Sequence, residues 1–404
     1  MFNNLSLKII VFGFIFTFFS SFGQSFFLGL FNSSIRETLS ITHGQFGSIY
    51  ALATLLSSFL FIWFGKKIDD INIFKFALYV ILLLSFSCYF FSKISSIIFL
   101  FIAVFLMRFS GQGLMSHTAT TTIARYFNKS RGKALSAGWF GLSTAEFILP
   151  ILIVYLLTIT TWQNIWISIS ITVLVFLPII SFLLVKNLNF ESREEDQNKL
   201  VQDDGIKQWK RIEVIKDYRF YIICLNMLAM PWIATGIFVF QSYIAESKSW
   251  GDFIIPQSFM AYSIFSVISL LGSGFLIDKF SSRNLITFIN IPLLLSAIVI
   301  IYFNHPVSAF IFLGLIGISN GLANVLGSST WAEIYGVKHI GSIKALTTAL
   351  MVFSTAFGTA LFGYMIDIGF LLNQIFYLVI TYLVISILIL YLIKDKIKPH
   401  QSKI

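Results

Sequence analysis

Two ionisable residues, Arg108 and Glu146, lie deep inside long apolar runs of this sequence. A charged side chain at the centre of a lipid bilayer costs roughly 2.5–3.5 kcal/mol, so such a residue marks a cavity, a ligand path or an ion pair. Arginine offers a planar fork of donors that fits a carboxylate, and a glutamate can take up and release a proton. These residue types predict that Arg108 binds an anion and that Glu146 carries a proton. A structural ion pair between them and two unrelated roles are the alternatives.

The composition of the chain identifies the environment of these two charges. Of the 404 residues, 57% are hydrophobic and only 11% are charged, whereas soluble proteins carry about 25% charged residues. Apolar runs of about 20 residues, the length that crosses a bilayer as a helix, recur from end to end. The sequence therefore predicts an all-α polytopic membrane protein and excludes one large soluble core. Cys88 and Cys224 fall in apolar runs, where a structural disulfide is not expected.

The net charge of +10 comes from basic residues placed mainly in alternate loops. Of the 28 Lys and Arg residues, 24 lie in the termini or the even-numbered loops, and only Arg36, Lys93 and Lys248 lie in odd-numbered loops. The positive-inside rule then places both termini in the cytoplasm. We expect an integral protein of the bacterial inner membrane, in contact with the lipid bilayer and not with nucleic acid. The first apolar run is too long for a signal peptide and is interpreted as a retained span.

The apolar runs predict twelve membrane spans. Their approximate bounds are 8–31, 45–64, 74–92, 96–124, 133–157, 162–185, 218–245, 256–277, 284–303, 307–332, 342–366 and 371–393. Arg108 lies about twelve residues into span 4 and Glu146 about thirteen into span 5, or roughly 18 and 20 Å at 1.5 Å per residue. Both charges are therefore expected near the middle of the bilayer.

A polar segment separates the first six spans from the last six. We predict an N-terminal six-helix bundle at 1–186, a cytoplasmic linker at 187–217 and a C-terminal six-helix bundle at 218–404. From Gly205 onwards, apolar residues recur at near-helical spacing between Lys and Arg residues. These apolar residues are Ile206, Trp209, Ile212 and Ile215. The pattern is typical of an amphipathic helix at the membrane surface.

The two halves repeat short motifs at a nearly constant offset. The motif Gly-x-x-x-Asp follows span 2 and recurs after span 8, 209 residues later. The matching pairs of residues are Gly65 and Gly274, Asp69 and Asp278, Lys133 and Lys344, and Arg125 and Glu333. Repetition at this period predicts two pseudo-symmetric six-helix bundles that arose by duplication.

Twelve spans, a long central loop and the repeated Gly-x-x-x-Asp turn resemble the major facilitator superfamily over essentially the whole chain. The resemblance implies a secondary active transporter, with a site near the midplane between two halves that rock to expose it to either side. Asp70 and Asn72 in the first turn and Ser281 in the second depart from the family's pattern. The residues to which the resemblance assigns gating are Gly65, Asp69, Arg125, Arg131, Gly274, Asp278, Lys279, Arg283 and Glu333.

Within the superfamily, the run from Tyr126 to Ala134 and the pair Leu149-Pro150 resemble the monocarboxylate and oxalate/formate porter branch. Members of that branch carry small organic anions, often together with protons. The resemblance therefore favours a small organic anion of the carboxylate class, moved together with protons, and it does not carry over the identity of the substrate. The acidic-glycine signature at the start of span 1 in the monocarboxylate carriers is absent from this sequence.

Polar side chains recur at helical spacing in spans 1, 4, 7 and 10, to which the resemblance assigns the lining of the cavity. A helix that faces lipid on all sides would not tolerate such a stripe. Helix packing through amide groups is the alternative for each residue. His117 is half a turn away from Arg108 and is expected to pack, and Pro231 predicts a bend in span 7. The predicted substrate-binding residues are Gln24, Arg108, Gln112, Asn226, Asn320 and Asn324.

Other classes of function lack the residues they need. The sequence has no paired acidic motifs for Mg²⁺ and no His-Glu-x-x-His run, so we expect no enzyme activity, no cofactor and no metal. A proton-driven exporter of cationic or amphipathic compounds and a sensor without transport remain as competing interpretations. An exporter of cations favours a negatively charged cavity, whereas span 4 supplies an arginine. The expected partners are a small-molecule substrate and protons, and the protein is expected to function as a monomer.

Overall fold

The computed structural model describes residues 4–127, 131–186 and 207–399, with only the backbone described at residues 131, 278 and 328. Within these ranges the chain is helical and has no β-strand. Twelve of its helical segments are long and apolar enough to cross a membrane. The prediction of an all-α polytopic protein with twelve spans is therefore confirmed.

The spans lie close to their predicted positions, although spans 1 and 7 end earlier than predicted. In chain order, the spans are Asn4–Gly23, His43–Asp70, Ile73–Phe91, Ile97–Tyr126, Gly132–Ile159, Trp162–Val185, Tyr218–Val239, Ile254–Ile277, Ser282–Tyr302, Val307–Tyr335, Ile340–Asp367 and Leu372–Lys396. Shorter α-helices outside these spans are Ser25–Leu28, Asn32–Leu39, Arg211–Lys216 and Gln241–Ser247. We call the span ends on the side of the chain termini inner ends and the opposite ends outer ends.

Side-chain caps fix where several spans begin. Span 2 starts with a capping box, in which Thr42 Oγ1 accepts from the N–H of Gln45 at 3.2 Å and the Gln45 side chain accepts from the N–H of Thr42 at 3.0 Å. At the start of span 3, Asn72 accepts from the N–H of Phe74 at 2.9 Å. Each cap satisfies a backbone donor in the first turn, which has no partner within the helix.

Span 1 is interrupted, and the continuous span predicted for residues 8–31 is therefore wrong. The helix Asn4–Ser20 passes into a 3₁₀ turn, Ser21–Gly23, and the backbone of Gln24 is extended, with φ −83° and ψ 153°. Helical structure then resumes at Ser25–Leu28. Hydropathy predicts where a chain is apolar and does not detect a single extended residue. The break leaves backbone groups that other parts of the protein must satisfy.

Span 4 also departs from a regular α-helix. It runs as an α-helix over Ile97–Met107, widens into a π-helix over Arg108–Met115 and continues as an α-helix over Ser116–Tyr126. A π-helix is rare and occurs mostly as a short bulge, frequently at a functional site. The wide segment begins at the buried arginine.

Span 7 is broken at Leu228, between the helices Tyr218–Met227 and Ala229–Val239. Proline has no N–H to donate, so Pro231 in the second helix removes one backbone hydrogen bond near the break. The hydroxyl of Ser354 donates to the backbone oxygen of Leu228 at 2.9 Å and thereby satisfies one carbonyl at this point. The interruption lies where the sequence predicts a bend.

Spans 1 and 5 pack with their backbones close together. A Cβ on Gly141 would overlap the backbone oxygen of Phe14 and Oγ1 of Thr17. Thr17 Oγ1 also donates to the backbone oxygen of Gly138 at 2.6 Å. Small residues that let helix backbones approach are a main source of helix association in lipid. This contact holds span 5, and with it Glu146, against the part of span 1 that precedes the break.

The contacts of the chain group it into two compact units. The first unit comprises Met1–Glu191, Thr235–Met260 and Thr359–Gly369, and the second comprises Ser192–Ala234, Ala261–Gly358 and Phe370–Ile404. The first unit therefore includes the outer ends of spans 7, 8 and 11 from the second half of the chain. The predicted bundles 1–186 and 218–404 describe sequence halves and stay a prediction.

The linker forms a shorter helix than the sequence predicts. Residues 187–206 of the predicted linker lie outside the described residues, and the helix observed is Arg211–Lys216. Val214 is its buried residue, whereas Ile212 is 62% exposed. Trp209 precedes the helix and packs against Tyr335, with the ring centroids 5.4 Å apart. The linker packs against the protein through Trp209 and Val214 and leaves Ile212 exposed, so an amphipathic helix at the membrane surface stays a prediction.

The tight contact between spans 1 and 5 predicts that replacing glycine by alanine lowers the stability of the protein at one position of span 5 and not at another. Gly141→Ala should lower the stability by about 1–3 kcal/mol, because the added methyl group overlaps span 1. Gly132→Ala should have no such cost, because a Cβ there would meet no described atom within 4 Å. Thermal unfolding of the two variants in the same detergent measures the difference. Equal melting temperatures would show that the close approach is not required.

Candidate functional site

Arg108 lies at the start of the π-helical segment, with its side chain directed at the break in span 1. The residue is 3% exposed. Its Nη1 donates to the backbone oxygen of Gly23 at 3.2 Å and to Oγ of Ser25 at 3.3 Å. These acceptors lie on either side of Gln24, so the break supplies polar groups to a buried cation, which would otherwise be poorly solvated. The charge in span 4 and the break in span 1 form one arrangement.

Two glycines let the interrupted segments of spans 1 and 4 meet. A Cβ on Gly23 would overlap the backbone oxygen of Met107 and the backbone nitrogen of Gln112, and a Cβ on Gly111 would lie 2.7 Å from the backbone nitrogen of Gly23. A residue without a side chain is therefore needed on both sides of this contact. Gln24 and Gln112, both predicted ligands, lie on the two contacting segments and are half-buried.

The ring of Tyr50 in span 2 lies beside the guanidinium group. Its centroid is 5.4 Å from Cζ of Arg108, within the range of a cation–π interaction. The Tyr50 hydroxyl and Oγ of Ser25 are 3.0 Å apart and hydrogen-bonded. Neither residue is among those predicted from the sequence. Tyr50 is the only tyrosine of span 2, but a contact between distant spans cannot be derived from one sequence.

One edge of the Arg108 guanidinium has no hydrogen-bond partner within the described residues. Nε is buried and unpartnered there, and the hydrogen bonds of this side chain come from Nη1. Arg219 shows what such an edge can bind, because its Nε and Nη2 contact Oδ2 of Asp217 at 2.9 and 2.7 Å. The corresponding edge of Arg108 has the geometry that a carboxylate recognises.

Glu146 is buried in span 5, with 8% of its surface exposed, but it does not pair with Arg108. The ion pairs within 4.0 Å in the described chain include neither residue. The structural ion pair that the sequence leaves open is therefore absent from these residues. The depth of a residue in a span does not determine which way its side chain points around the helix axis. Arg108 and Glu146 are two separate buried groups of the first compact unit.

The predicted ligands in spans 7 and 10 belong to the second compact unit. Asn226 is fully buried, and its side-chain amide has no partner within the described residues. Asn320 donates to Oγ of Ser266 at 3.0 Å, and Asn324 donates to the backbone oxygen of Asn320 at 3.0 Å. The amide of Asn320 therefore joins spans 10 and 8, whereas the amide of exposed Asn324 bonds within its own helix. The amide of Asn226 is the one of the three that remains for another ligand.

In the first half, an ion pair joins the inner ends of spans 2 and 4. Asp69 pairs with Nη2 of Arg125, and Nη1 of Arg125 donates to the backbone oxygen of Ile68 at 3.1 Å. His117 lies 3.0 Å through Nε2 from the backbone oxygen of Gly65, which agrees with the packing role expected for it. The inner end of span 2 is therefore held to span 4 at two points.

In the second half, the matching ion pair has the opposite polarity. Nε of Arg283, at the inner end of span 9, lies 3.3 Å from Oε1 of Glu333 in span 10. Oε2 of Glu333 also accepts from the N–H and the hydroxyl of Ser282 at 3.0 and 2.6 Å. Ser281, which stands where the family commonly has glycine, has φ 63°, a conformation that favours glycine. The acid thus lies at the end of span 2 in the first half, with its base in span 4, whereas in the second half the acid lies in span 10 and the base at the start of span 9.

The remaining predicted gating residues have different surroundings. Gly65 follows the helix His43–Phe64, whereas Gly274 lies inside the helix Ile254–Phe280, and a Cβ there would meet no described atom within 4 Å. Lys279 Nζ lies 5.2 Å from the ring centroid of Phe280. The side chains of Arg131 and Asp278 lie outside the described residues, and gating by them stays a prediction.

Hydrogen bonds within the first compact unit join the outer ends of spans 1 and 7. Nδ2 of Asn32 donates to the backbone oxygen of Val239 at 2.8 Å, and Nε2 of Gln241 donates to the backbone oxygen of Phe26 at 2.9 Å. Nε of Arg36 in turn donates to Oδ1 of Asn32 at 2.8 Å and orients its amide. Burial lowers the pKa of Arg36, and neighbouring carboxylates, Glu246 foremost, act in the opposite direction.

Asp367, at the outer end of span 11, holds the start of span 2. Its Oδ2 accepts from Oγ1 of Thr42 at 2.6 Å and from the N–H of Gly44 at 2.9 Å. A carboxylate at the N-terminus of a helix satisfies free backbone donors and interacts favourably with the helix dipole. Nearby, a Cβ on Gly363 would lie 2.5 Å from the backbone oxygen of His43, so the two spans are close here. Asp367 is thus a contact between the two sequence halves.

Twelve apolar spans, with interruptions in spans 1, 4 and 7 next to buried polar groups, define a polytopic membrane protein of the transporter class. The family model of the Major Facilitator Superfamily matches residues 13–349 and 243–403. The chain belongs to this superfamily. Membership indicates a transporter and not an enzyme. A search of curated proteins finds no match.

Solved structures of transporters share the fold. A bacterial homologue of the human lysosomal transporter Spinster, in an inward-facing and occupied conformation, has a TM-score of 0.71 at 14% identity, covering 97% of this chain and 96% of that chain. The nucleoside transporter NupG has a TM-score of 0.69 at 14% identity, covering 98% of this chain and 99% of that chain. At these identities the likeness shows the fold and leaves the substrate open.

The contact of Asp367 predicts that its removal loosens the outer end of span 2. Asp367→Ala should increase amide exchange of residues 43–47 by about tenfold, because a hydrogen bond to a charged group contributes about 1.5 kcal/mol. Asp252→Ala, which changes an exposed acid on the connection between spans 7 and 8, is the matched control. Hydrogen–deuterium exchange with mass spectrometry measures both. Unchanged exchange in Asp367→Ala would show that this contact does not hold the outer end of span 2.

Proposed function

We propose that this protein is a secondary active transporter that moves a small organic anion, a carboxylate, by alternating access with proton coupling. One observation carries the proposal: the guanidinium of Arg108 is buried in span 4, lacks an acidic partner in the described chain and keeps its Nε edge unpartnered. A buried cation without a counter-charge is costly. A bound substrate anion would supply that counter-charge.

The form of the arginine site supports a carboxylate in particular. Nη1 is already engaged by Gly23 and Ser25, so the remaining edge presents two parallel donors. Two parallel donors fit the two oxygens of a carboxylate. Gln24 and Gln112, beside the contact of spans 1 and 4, would complete the binding site. A cationic substrate would meet repulsion from Arg108, which disfavours the exporter of cations.

Glu146 is the candidate for the proton-carrying group. It is buried in the span that packs along span 1, and no cation of the described chain forms an ion pair with it. The carboxyl group of Glu146 is neutral when it is protonated and carries a negative charge when it is not. That charge would act on the anion site at Arg108. Loading and release of one proton at Glu146 would therefore change how favourably Arg108 holds an anion.

Alternating access requires contacts that break and re-form. Outer contacts are present through Asn32, Gln241 and Asp367, and inner contacts within each half are present through Asp69–Arg125 and Arg283–Glu333. Small polar contacts of this kind can bias a bistable element between two states. We assign the outer set to the gate that closes the site from outside. The protein would work as a monomer in the bacterial inner membrane, with both termini in the cytoplasm and a substrate range like that of the monocarboxylate and oxalate/formate porter branch.

The arginine predicts a graded loss of binding. Arg108→Lys keeps the charge and loses the fork, so the affinity for the transported carboxylate should fall about tenfold to hundredfold, as expected for a hydrogen bond to a charged group of about 1.5–3 kcal/mol. Arg108→Ala should abolish uptake. Uptake and counterflow of a panel of labelled small carboxylates in proteoliposomes measure both effects.

The same vesicles should be tested for efflux of a cationic dye. Wild-type affinity in Arg108→Lys would exclude recognition through the fork. Dye efflux without uptake of any carboxylate would replace the proposal with the cation exporter.

If Glu146 carries the proton, a substitution there should abolish proton coupling and leave substrate transport in place. In Glu146→Gln, uptake should no longer respond to an inward proton gradient, whereas exchange of substrate across the membrane should continue, because an amide cannot carry the proton. Glu37→Gln, at an exposed acid near the outer end of span 1, should keep the response. Paired measurements of gradient-driven uptake and of counterflow give the result. A gradient response in Glu146→Gln equal to that of the wild type would rule out this role.

A further inference from the structure

A cavity of about 580 Å³ lies at the inner ends of spans 7 and 12, beside the linker. Span 7 begins at Tyr218, and span 12 ends at Lys396. Both residues line the cavity, so it opens at the level where two spans leave the apolar layer. All of its lining residues belong to the second compact unit. The other lining residues used below are Lys207, Trp209, Glu213, Lys216, Asp217 and Arg219.

A network around Arg219 builds one wall of the cavity. Nε and Nη2 of Arg219 bind Asp217, and Nη1 donates to the backbone oxygens of Lys396 and Lys398 at 3.2 and 2.8 Å. The hydroxyl of Tyr335 also donates to Asp217, at 3.1 Å. One side chain thus ties the start of span 7 to the C-terminal segment, and the wall is preorganised by partners within the protein.

The acidic groups at the cavity are already engaged. Glu213 accepts from the backbone N–H of Lys210 at 2.7 Å and pairs with Lys207 at 2.9 Å. These hydrogen bonds, that from Lys210 first, lower the pKa of Glu213. Burial acts to raise the pKa of Asp217, but the hydrogen bonds from Arg219 outweigh it and lower that pKa. Both carboxyl groups are therefore neutralised by nearby cations.

Two lysines remain without an acidic partner. Lys216 and Lys396 line the cavity and are exposed, and neither belongs to an ion pair within the described chain. The cavity therefore has an excess of positive charge. Trp209 and Tyr218 supply aromatic groups at the same level, as is usual where a membrane protein leaves the apolar layer. Exposed Ile212, beside them in the chain, adds apolar surface.

We propose that this cavity binds the phosphate-bearing headgroup of an anionic phospholipid, with Lys216 and Lys396 as the ligands of the phosphate. The group recognised is the phosphodiester of the lipid headgroup, which carries one negative charge. Its position at the ends of two spans, with exposed apolar groups nearby, favours a lipid over a free ion. Basic pockets on this side of membrane proteins suit such headgroups, and each Lys or Arg contributes about a fivefold change in binding. A bound headgroup would link the linker to the C-terminal segment.

Native mass spectrometry of the full-length protein in detergent tests the site. Phosphatidylglycerol should bind, whereas phosphatidylcholine, glycerol 3-phosphate and inorganic phosphate should bind far more weakly. The double variant Lys216→Gln with Lys396→Gln should weaken binding of phosphatidylglycerol by about 25-fold. The double variant Lys216→Arg with Lys396→Arg should bind phosphatidylglycerol as the wild type does. Lys75→Gln with Lys344→Gln, two exposed lysines on the same membrane side that do not line the cavity, is the matched control.

The outcomes separate the sources of the phosphate. Binding of phosphatidylglycerol that is lost in the cavity variant and retained in the control supports the site. Equal binding of inorganic phosphate would overturn the lipid assignment, and equal weakening in both double variants would show only a general attraction between basic protein and acidic lipid. Each variant's melting temperature without lipid verifies that it is folded. The readout does not depend on transport, so it remains valid if the proposed substrate is wrong.

Discussion

The buried guanidinium of Arg108 sets the local structure of the first half. A cation in this position must be surrounded by polar groups, and an unbroken span 1 would offer none of its carbonyls, because each would be used within the helix. The chain provides them by breaking at Gln24 and by placing Gly23, Ser25 and the ring of Tyr50 around the charge. The π-helix in span 4 and the glycine contact between the two spans are parts of the same solution. Within the described residues, one edge of the fork is left unpartnered, and this is the edge to which we propose that an anion binds.

The fold could be predicted from the sequence because the bilayer imposes a strong rule. Backbone groups in lipid must be paired within a segment, so an apolar run of sufficient length becomes a helix almost regardless of its detailed sequence. Ten of the spans consequently lie near their predicted bounds, and spans 1 and 7 end early at Gly23 and Val239. Repeated motifs added the division into two halves. The depth of Arg108 and Glu146 in the membrane could be predicted from the number of residues between each of them and the start of its span.

The rest of the site could not be predicted, for physical reasons that differ from residue to residue. Rotation about a helix axis is not determined by depth, so Arg108 and Glu146 lie at similar expected depths without pairing. Tyr50 enters the site through a contact between spans that one sequence does not encode. Span 1 breaks at Gln24, where Gly23 and Ser25 on either side accept from Arg108 of span 4, and the hydropathy of span 1 does not encode this tertiary contact. The linker shows the same limit, since Val214, which is not part of the predicted apolar pattern, is buried against the protein.

The reversed ion pairs at the inner ends give the two halves unequal sensitivity to ionic strength. In the first half, Asp69 is 66% exposed, and Arg125 is its charge partner among the described residues. Such a contact is screened over about 8 Å at physiological salt. In the second half, Glu333 is 26% exposed and also accepts hydrogen bonds from the N–H and the hydroxyl of Ser282. Salt does not screen these hydrogen bonds in the same way as an ion pair. Dissolved ions therefore act first on the inner end of span 2, and the composition of the surrounding solution becomes a variable that distinguishes one sequence half of the protein from the other.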